Sequence, residues 1–166
     1  SDFYSNEAFK YCLFQRGDDS IDGYGNSVIN VKNSDGIITQ SLFTIDSNAY
    51  PKGSFLGLTG GYDNVHQNQI DWYKTTCDKL CAENQTAIDT AYGDNVQLKT
   101  EATDKFGKVP SLIFMHIPPT EYANAWAEFK ANGYKDTENV KYYYGTLGED
   151  VCCPAEDDLF FEALLE

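Results

Sequence analysis

The sequence predicts an α/β fold, in which a mixed sheet that contains a β-hairpin is flanked by helices. Two short alternating runs are separated by a turn signal, an apolar run follows later, and segments with helical periodicity lie between and after them. The chain has 166 residues, which is enough to bury one hydrophobic core. We therefore predict a single domain over residues 1–166.

The first part of the sheet is predicted to be a hairpin. Apolar and polar residues alternate in residues 26–32 and again in residues 41–45, as they do in half-buried strands. Between these runs lies Asn33-Ser34-Asp35-Gly36, whose composition favours a tight turn. Residues 26–46 are therefore expected to form two adjacent antiparallel strands.

A helix and then a long surface insertion are predicted after the hairpin. Apolar residues recur at helical spacing in residues 67–84, and charged residues take the other face. The apolar positions are Ile70, Tyr73, Cys77, Leu80 and Cys81. Residues 85–108 are polar, contain Gly93 and Gly107, and follow neither the helix period nor the strand period. We predict a long surface insertion there.

The most informative segment is residues 111–116. The consecutive apolar residues 112–115 predict a central strand that is buried on both faces. The polar His116 stands where this strand should end, because Pro118 and Pro119 prevent further ladder pairing. Ligands collect at the carboxyl ends of strands in open α/β sheets, so His116 is the candidate site residue. Further helices are predicted around Trp126 and Phe160.

The charge of the chain excludes two classes of partner. Lys and Arg total 12 against 26 for Asp and Glu, which gives a net charge of −14. Because this charge repels polyanions, we expect no nucleic acid partner and no anionic membrane partner. No apolar stretch reaches the length of about 18 residues that a membrane span needs. The last helical pattern runs to Glu166 without a C-cap, so we expect the chain to be a piece of a longer protein.

Several other features predict structural roles. His66 precedes the first helix and is predicted to be a surface or capping residue. The five cysteines are an odd number, so at least one thiol is free or pairs outside the chain. Cys77 and Cys81 are predicted to be small buried thiols, because no further ligands stand near them to complete a zinc site. The segment that begins at Asp18 starts like a calcium loop, but Ile29 replaces the bidentate Glu at its end.

Seven short stretches carry a resemblance to a known family. They are YCL at 11–13, GYGNSVINV at 23–31, LFTIDSN at 42–48, GYD at 61–63, QIDWY at 69–73, FMHIP at 114–118 and GEDVCCP at 148–154. In this order and spacing they resemble the calcineurin-like metallophosphoesterases, in the branch that is similar to purple-acid-phosphatase-like proteins. The resemblance implies that the sheet and helices are part of a metallophosphoesterase-type α/β sandwich.

The resemblance also implies a metal site to which this chain contributes one ligand. The family holds two metal ions with Asp-x-His, Gly-Asp, Gly-Asn-His, a lone His that ends a buried strand, and Gly-His-x-His. His116 matches the lone His, and the other motifs have no counterpart here. The parent protein is therefore expected to hydrolyse a phosphate-ester substrate with two Mn, Fe or Zn ions. We expect this chain alone to bind no such pair and to be inactive, because two-metal hydrolysis needs ligands on both ions.

Two other functions stay open. Aromatic residues make up 14% of the chain, and exposed rings at Tyr142-Tyr143-Tyr144 would suit a noncatalytic module that binds carbohydrate. A degenerate phosphoesterase that acts as an interaction domain is the other alternative. A sheet that lacks its remaining strands should expose an apolar edge, so we also expect self-association through exposed sheet edges. In that case His116 would lie outside an organised metal site.

Overall fold

The computed structural model describes residues 10–51, 61–142, 148 and 151–166. The chain is a mixed α/β protein with a three-stranded mixed sheet and flanking helices, as predicted. Its elements are β1 (Ser27–Lys32), β2 (Ile38–Thr44), α1 (Gln67–Tyr92), α2 (Val96–Phe106), β3 (Ser111–Phe114), α3 (Thr120–Ala131) and α4 (Phe160–Leu165). The described residues divide into two compact units, one from residues 1–46 and 68–115 and the other from residues 47–67 and 116–166.

The predicted hairpin is confirmed. β1 and β2 pair antiparallel, and the turn between them contains the predicted residues. The Asn33 side-chain oxygen accepts hydrogen bonds from the backbone N–H groups of Asp35 and Ile37, both at 3.0 Å. Gly36 has a φ of 82°, a conformation that a residue with a Cβ adopts only under strain. Local side-chain chemistry therefore fixes this turn.

β3 pairs parallel with β2 and lies at the edge of the sheet, in the order β1-β2-β3. The prediction of a strand here is confirmed, but the prediction of a central, fully buried strand is wrong for the described part of the chain. Leu112 and Phe114 are 53% and 55% exposed. An apolar run has the same sequence pattern in a central strand and in an edge strand whose outer neighbour is missing, so periodicity alone cannot separate the two.

The two faces of the sheet differ in their cover. On one face Phe43 is 1% exposed and contacts the ring of Tyr73 on α1 edge-on, with ring centroids 5.0 Å apart. Burial there raises the pKa of Tyr73 to about 12. The strand register puts a second set of side chains on the opposite face. This outer sheet face carries the apolar side chains of Ile29, Val31, Leu42, Leu112 and Phe114 beside the polar side chains of Ser27, Gln40 and Thr44.

Residues 85–108 are mostly helical, although the sequence showed no helical period there. α1 continues to Tyr92, and α2 follows after a short turn. Few apolar residues mark the helical period in this segment. They are chiefly Ile88 and Ala102, which pack with Ile37 in a small core. α2 begins at a regular cap, since the Asn95 side chain accepts a hydrogen bond from the Leu98 N–H at 3.1 Å.

Asn84 on α1 connects three elements of the first unit. Its side chain is fully buried. The amide oxygen accepts a hydrogen bond from the Ile38 N–H at 2.6 Å, and the amide nitrogen donates to the Ile38 carbonyl at 3.0 Å. The same nitrogen donates to the Phe106 carbonyl at 2.7 Å. One side chain therefore attaches the start of β2 and the end of α2 to α1.

The second unit contains α3 and α4. Phe129 on α3 is 7% exposed and packs against the rings of Trp126, Tyr134 and Tyr142. The segments that precede α1 and α4 are joined by a hydrogen bond from the Val65 N–H to the Asp158 carboxylate at 2.9 Å. Within the ranges given above, no helix is both long and apolar enough to cross a bilayer.

Candidate metal ligand after strand β3

His116 follows the last residue of β3 by two positions, and its side chain is exposed. The backbone directly after it is anchored. Ile117 is 5% exposed, and its N–H donates a hydrogen bond to the Ser47 hydroxyl at 2.9 Å. Ser47 is itself 4% exposed. The imidazole therefore stands on a fixed piece of backbone and is accessible to a ligand.

The strand that leads to His116 is parallel to β2. The Ser41 N–H donates to the Pro110 carbonyl at 2.8 Å, and the Ile45 N–H donates to the Phe114 carbonyl at 3.0 Å. These bonds pair β3 with β2 along its whole length, so the two strands end at the same edge of the sheet. The carboxyl ends of parallel strands commonly hold ligands in α/β sheets, and this was the reason for selecting His116 from the sequence.

His66 has a different environment. Its Nε2 lies 3.3 Å from a carboxylate oxygen of Asp63, and its side chain is 25% exposed. It immediately precedes Gln67, the first residue of α1. The predicted position before the helix is correct, but the side chain is partly buried and paired with a carboxylate.

Glu121, Asp157 and Glu162 form a group of carboxylates that sequence reasoning missed. One oxygen from each lies within 4.8 Å of the others. The second carboxylate oxygen of Glu121 is buried and has no hydrogen-bond partner in the described part of the chain. The only sequence signal was the acidic run around Asp157, because Glu121 is far away along the chain. Exposed acidic groups of this kind are common without an ion, and we assign no metal to them.

The described residues do not complete a two-metal centre. A pair of catalytic ions needs ligands on both metals and a bridging carboxylate. Among the residues that the structure describes, the carboxylate group above is the only set of three or more potential ligands, and His116 is not part of it. His116 is thus a single accessible imidazole, and no hydrolytic step can be derived from these residues alone.

Comparison of the chain with protein-family models, curated protein sequences and solved structures finds no match. Its function has therefore to be argued from its own residues.

The remaining sequence motifs have structural roles where they are described. All five cysteines are free thiols, and burial raises the pKa of Cys77 on α1. Asp18 accepts hydrogen bonds from the backbone N–H and the hydroxyl of Ser20, at 2.8 and 2.7 Å. Ile29 lies within β1, in the segment where a strand was predicted.

The rings proposed for carbohydrate binding are only partly described. Tyr142 is 49% exposed and stacks on Phe129, with centroids 5.3 Å apart. Its N–H donates a hydrogen bond to Asp136 at 3.0 Å. Tyr143 and Tyr144 lie outside the described residues. Tyr142 therefore belongs to the aromatic cluster around Phe129.

Proposed function

We propose that this chain is a segment of a metal-dependent phosphoric-ester hydrolase, to which it contributes His116 as one metal ligand, and that it is inactive alone. The observation that carries the proposal is the exposed imidazole directly after β3, a strand parallel to β2. In the metallophosphoesterases that the sequence resembles, the lone His likewise follows a strand of the sheet.

The exposed apolar side chains on the outer sheet face support the same proposal. α1 packs on one face, whereas the outer sheet face exposes Val31, Leu112 and Phe114. Apolar side chains of this size are normally buried against another layer. The α/β sandwich that the resemblance implies would supply such a layer.

The chemistry assigned to the whole protein follows from the resemblance. Two Mn, Fe or Zn ions would polarise the phosphoryl oxygens of the ester and lower the pKa of a bound water. The contribution of this chain is narrower: one imidazole nitrogen at His116, held by a backbone that Ser47 anchors through Ile117. The substrate proposed is a phosphate ester.

Two measurements test the proposal. The purified chain should hydrolyse p-nitrophenyl phosphate no faster than buffer containing Mn²⁺ or Zn²⁺. In the product of the complete reading frame, His116→Ala should lower kcat/KM at least about 100-fold, since even the outer-shell partners of metal ligands cost 10–100-fold. His66→Ala is the matched control and should leave kcat/KM nearly unchanged.

Either of two results would contradict the proposal. One is strong metal-dependent turnover by the isolated chain that disappears with His116→Ala, because this would mean that the chain holds the missing ligands. The other is equal activity of the two histidine variants in the complete product, because His116 would then not bind a catalytic metal.

The outer sheet face favours one second candidate, a degenerate phosphoesterase that acts as an interaction domain. Contiguous exposed apolar residues on a sheet are typical of interaction surfaces. This candidate requires that the complete reading frame lacks the other metal motifs. Finding those motifs on both sides of the segment would instead favour the hydrolase.

A further inference from the structure

The first unit contains a cleft whose residues have no role in the proposed metal site. It has a volume of about 560 Å³, within the range of small-molecule sites. Three segments line it: residues 15–18, strand β1 and helix α1. His116 belongs to the second unit, so the cleft and the metal-ligand residue lie on different parts of the chain.

One face of α1 forms a wall of the cleft. Trp72, Thr76, Lys79 and Glu83 line it and follow one another at helical spacing. The ring of Trp72 packs against the ring of Phe43 edge-on, at a centroid distance of 6.0 Å, which restricts its movement. The indole is partly buried and partly accessible, which gives the cleft one rigid aromatic surface.

The opposite wall offers a positioned hydrogen-bond donor. Asn30 on β1 lines the cleft, and its side-chain oxygen accepts a hydrogen bond from the buried Ser41 hydroxyl at 2.7 Å. That bond fixes the amide and leaves its NH₂ group without a protein partner among the described residues. Likewise, no described residue forms a hydrogen bond with the Thr76 hydroxyl, the Trp72 N–H or the Gln15 side-chain amide. Gln15 is exposed, and the other three residues are partly exposed, so a ligand can reach this part of the cleft.

The charges that line the cleft cancel. Arg16 and Lys79 contribute two positive charges, and Asp18 and Glu83 contribute two negative charges. Arg16 pairs with Asp19 at 2.9 Å, and Lys79 lies 3.8 Å from Glu83. In a chain of net charge −14 this wall is neutral, and it therefore offers an anion such as phosphate no net attraction.

We propose that this cleft binds an uncharged saccharide. A sugar ring presents an apolar face that can contact the Trp72 indole, and hydroxyl groups that can pair with the Asn30, Gln15 and Thr76 side chains. The proposal is independent of the phosphoesterase assignment, because it uses none of the residues near His116.

The test is a titration of the ¹⁵N-labelled chain with cellotriose and, separately, maltotriose, followed by nuclear magnetic resonance. The chain has two tryptophans. The indole signal of Trp72 should shift saturably with at least one trisaccharide. The indole signal of Trp126, which lies in the second unit, should stay unchanged and serves as an internal reference.

Variants connect the shift to the cleft. Thr76→Ala and Gln15→Ala should each weaken binding about three- to tenfold, which is the value of one hydrogen bond. Thr75→Ala is the matched control, because Thr75 is exposed on α1 and does not line the cleft. Both substitutions on α1 are small and polar to apolar, so a difference between them reports the site rather than the fold.

Three outcomes would overturn the proposal. They are no saturable shift of Trp72 with either trisaccharide, equal binding by the Thr75 and Thr76 variants, and a shift of Trp72 with adenosine or inorganic phosphate but with neither sugar. The last outcome would assign the cleft to a different class of ligand.

Discussion

Replacing Leu112 and Phe114 together by lysine should abolish the self-association that we expect of this chain. The two side chains are 53% and 55% exposed on the outer sheet face, which leaves roughly 100 Å² of each in water. At about 25 cal/mol per Å², covering both contributes about 5 kcal/mol from each copy. A micromolar dimer has a binding free energy of about −8 kcal/mol, so loss of these contacts is enough to dissociate it.

A second copy is the expected occupant because this part of the chain lacks the acidic side chains that dominate elsewhere, and its charged residues are Lys105 and Lys108. No Asp or Glu occurs between Asp104 and Glu121, although the chain carries 26 acidic residues. The backbone groups of Ser111 and Ile113 point away from β2, since Pro110 and Phe114 make the ladder bonds to β2 on the other side. Within the described residues this strand edge is unpaired, and together with the exposed apolar side chains beside it, it can match its own copy, whereas the acidic surface elsewhere repels it.

Sedimentation velocity over a micromolar to near-millimolar range measures the association. The double variant lowers the negative charge of the chain, so its dissociation cannot result from a larger net charge. The matched control is Val96→Lys with Leu98→Lys, which makes the same change at exposed positions of α2. A wild-type chain that stays a compact monomer at every concentration would refute the reasoning, as would equal behaviour of the two double variants.

Two further predictions concern the first unit. Asn84→Ala should lower the free energy of unfolding by about 3 kcal/mol or more, because it leaves polar backbone groups of Ile38 and Phe106 buried without partners. Urea unfolding measures this change, with Gln97→Ala on the exposed face of α2 as the control. Equal urea midpoints of the two variants would contradict the role of Asn84. The pKa of Tyr73 is raised to about 12 from 10.0, so the folded state favours the neutral phenol, and stability should fall as the pH rises from about 10 to 12. Tyr73→Phe should weaken that fall in the urea midpoint, and an unaltered pH profile in the variant would contradict the burial effect.

Sequence reasoning succeeded where the information is local. The hairpin follows from Asn33 and Gly36, whose side-chain oxygen and left-handed φ act within the turn itself. The position of His116 after a strand follows from the apolar run before it and from Pro118 after it. Both predictions needed no knowledge of distant contacts.

It failed where distant contacts decide the outcome. Whether β3 is central or at an edge depends on which strands lie beside it, and the apolar run around Leu112 is compatible with either position. The contribution of Asn84 to stability depends on its hydrogen bond with Ile38, which lies 46 residues away along the chain. Glu121 and Glu162 likewise come together only in the folded chain. Polar residues at such positions look like surface residues until the fold is known.

The order of the strands also constrains how the chain is made. β1 and β2 pair at separations such as 17 residues, whereas the pairing of β2 with β3 joins residues 70 apart. A ribosome adds about 5–20 residues per second, so roughly 4–14 s pass between the synthesis of β2 and the synthesis of β3. The edge of β2 to which β3 binds is unpaired during this time. During that interval the hairpin presents Ile45 and Ser41 with unpaired backbone groups. The parallel strand therefore makes the nascent hairpin a target for chaperones or neighbouring chains.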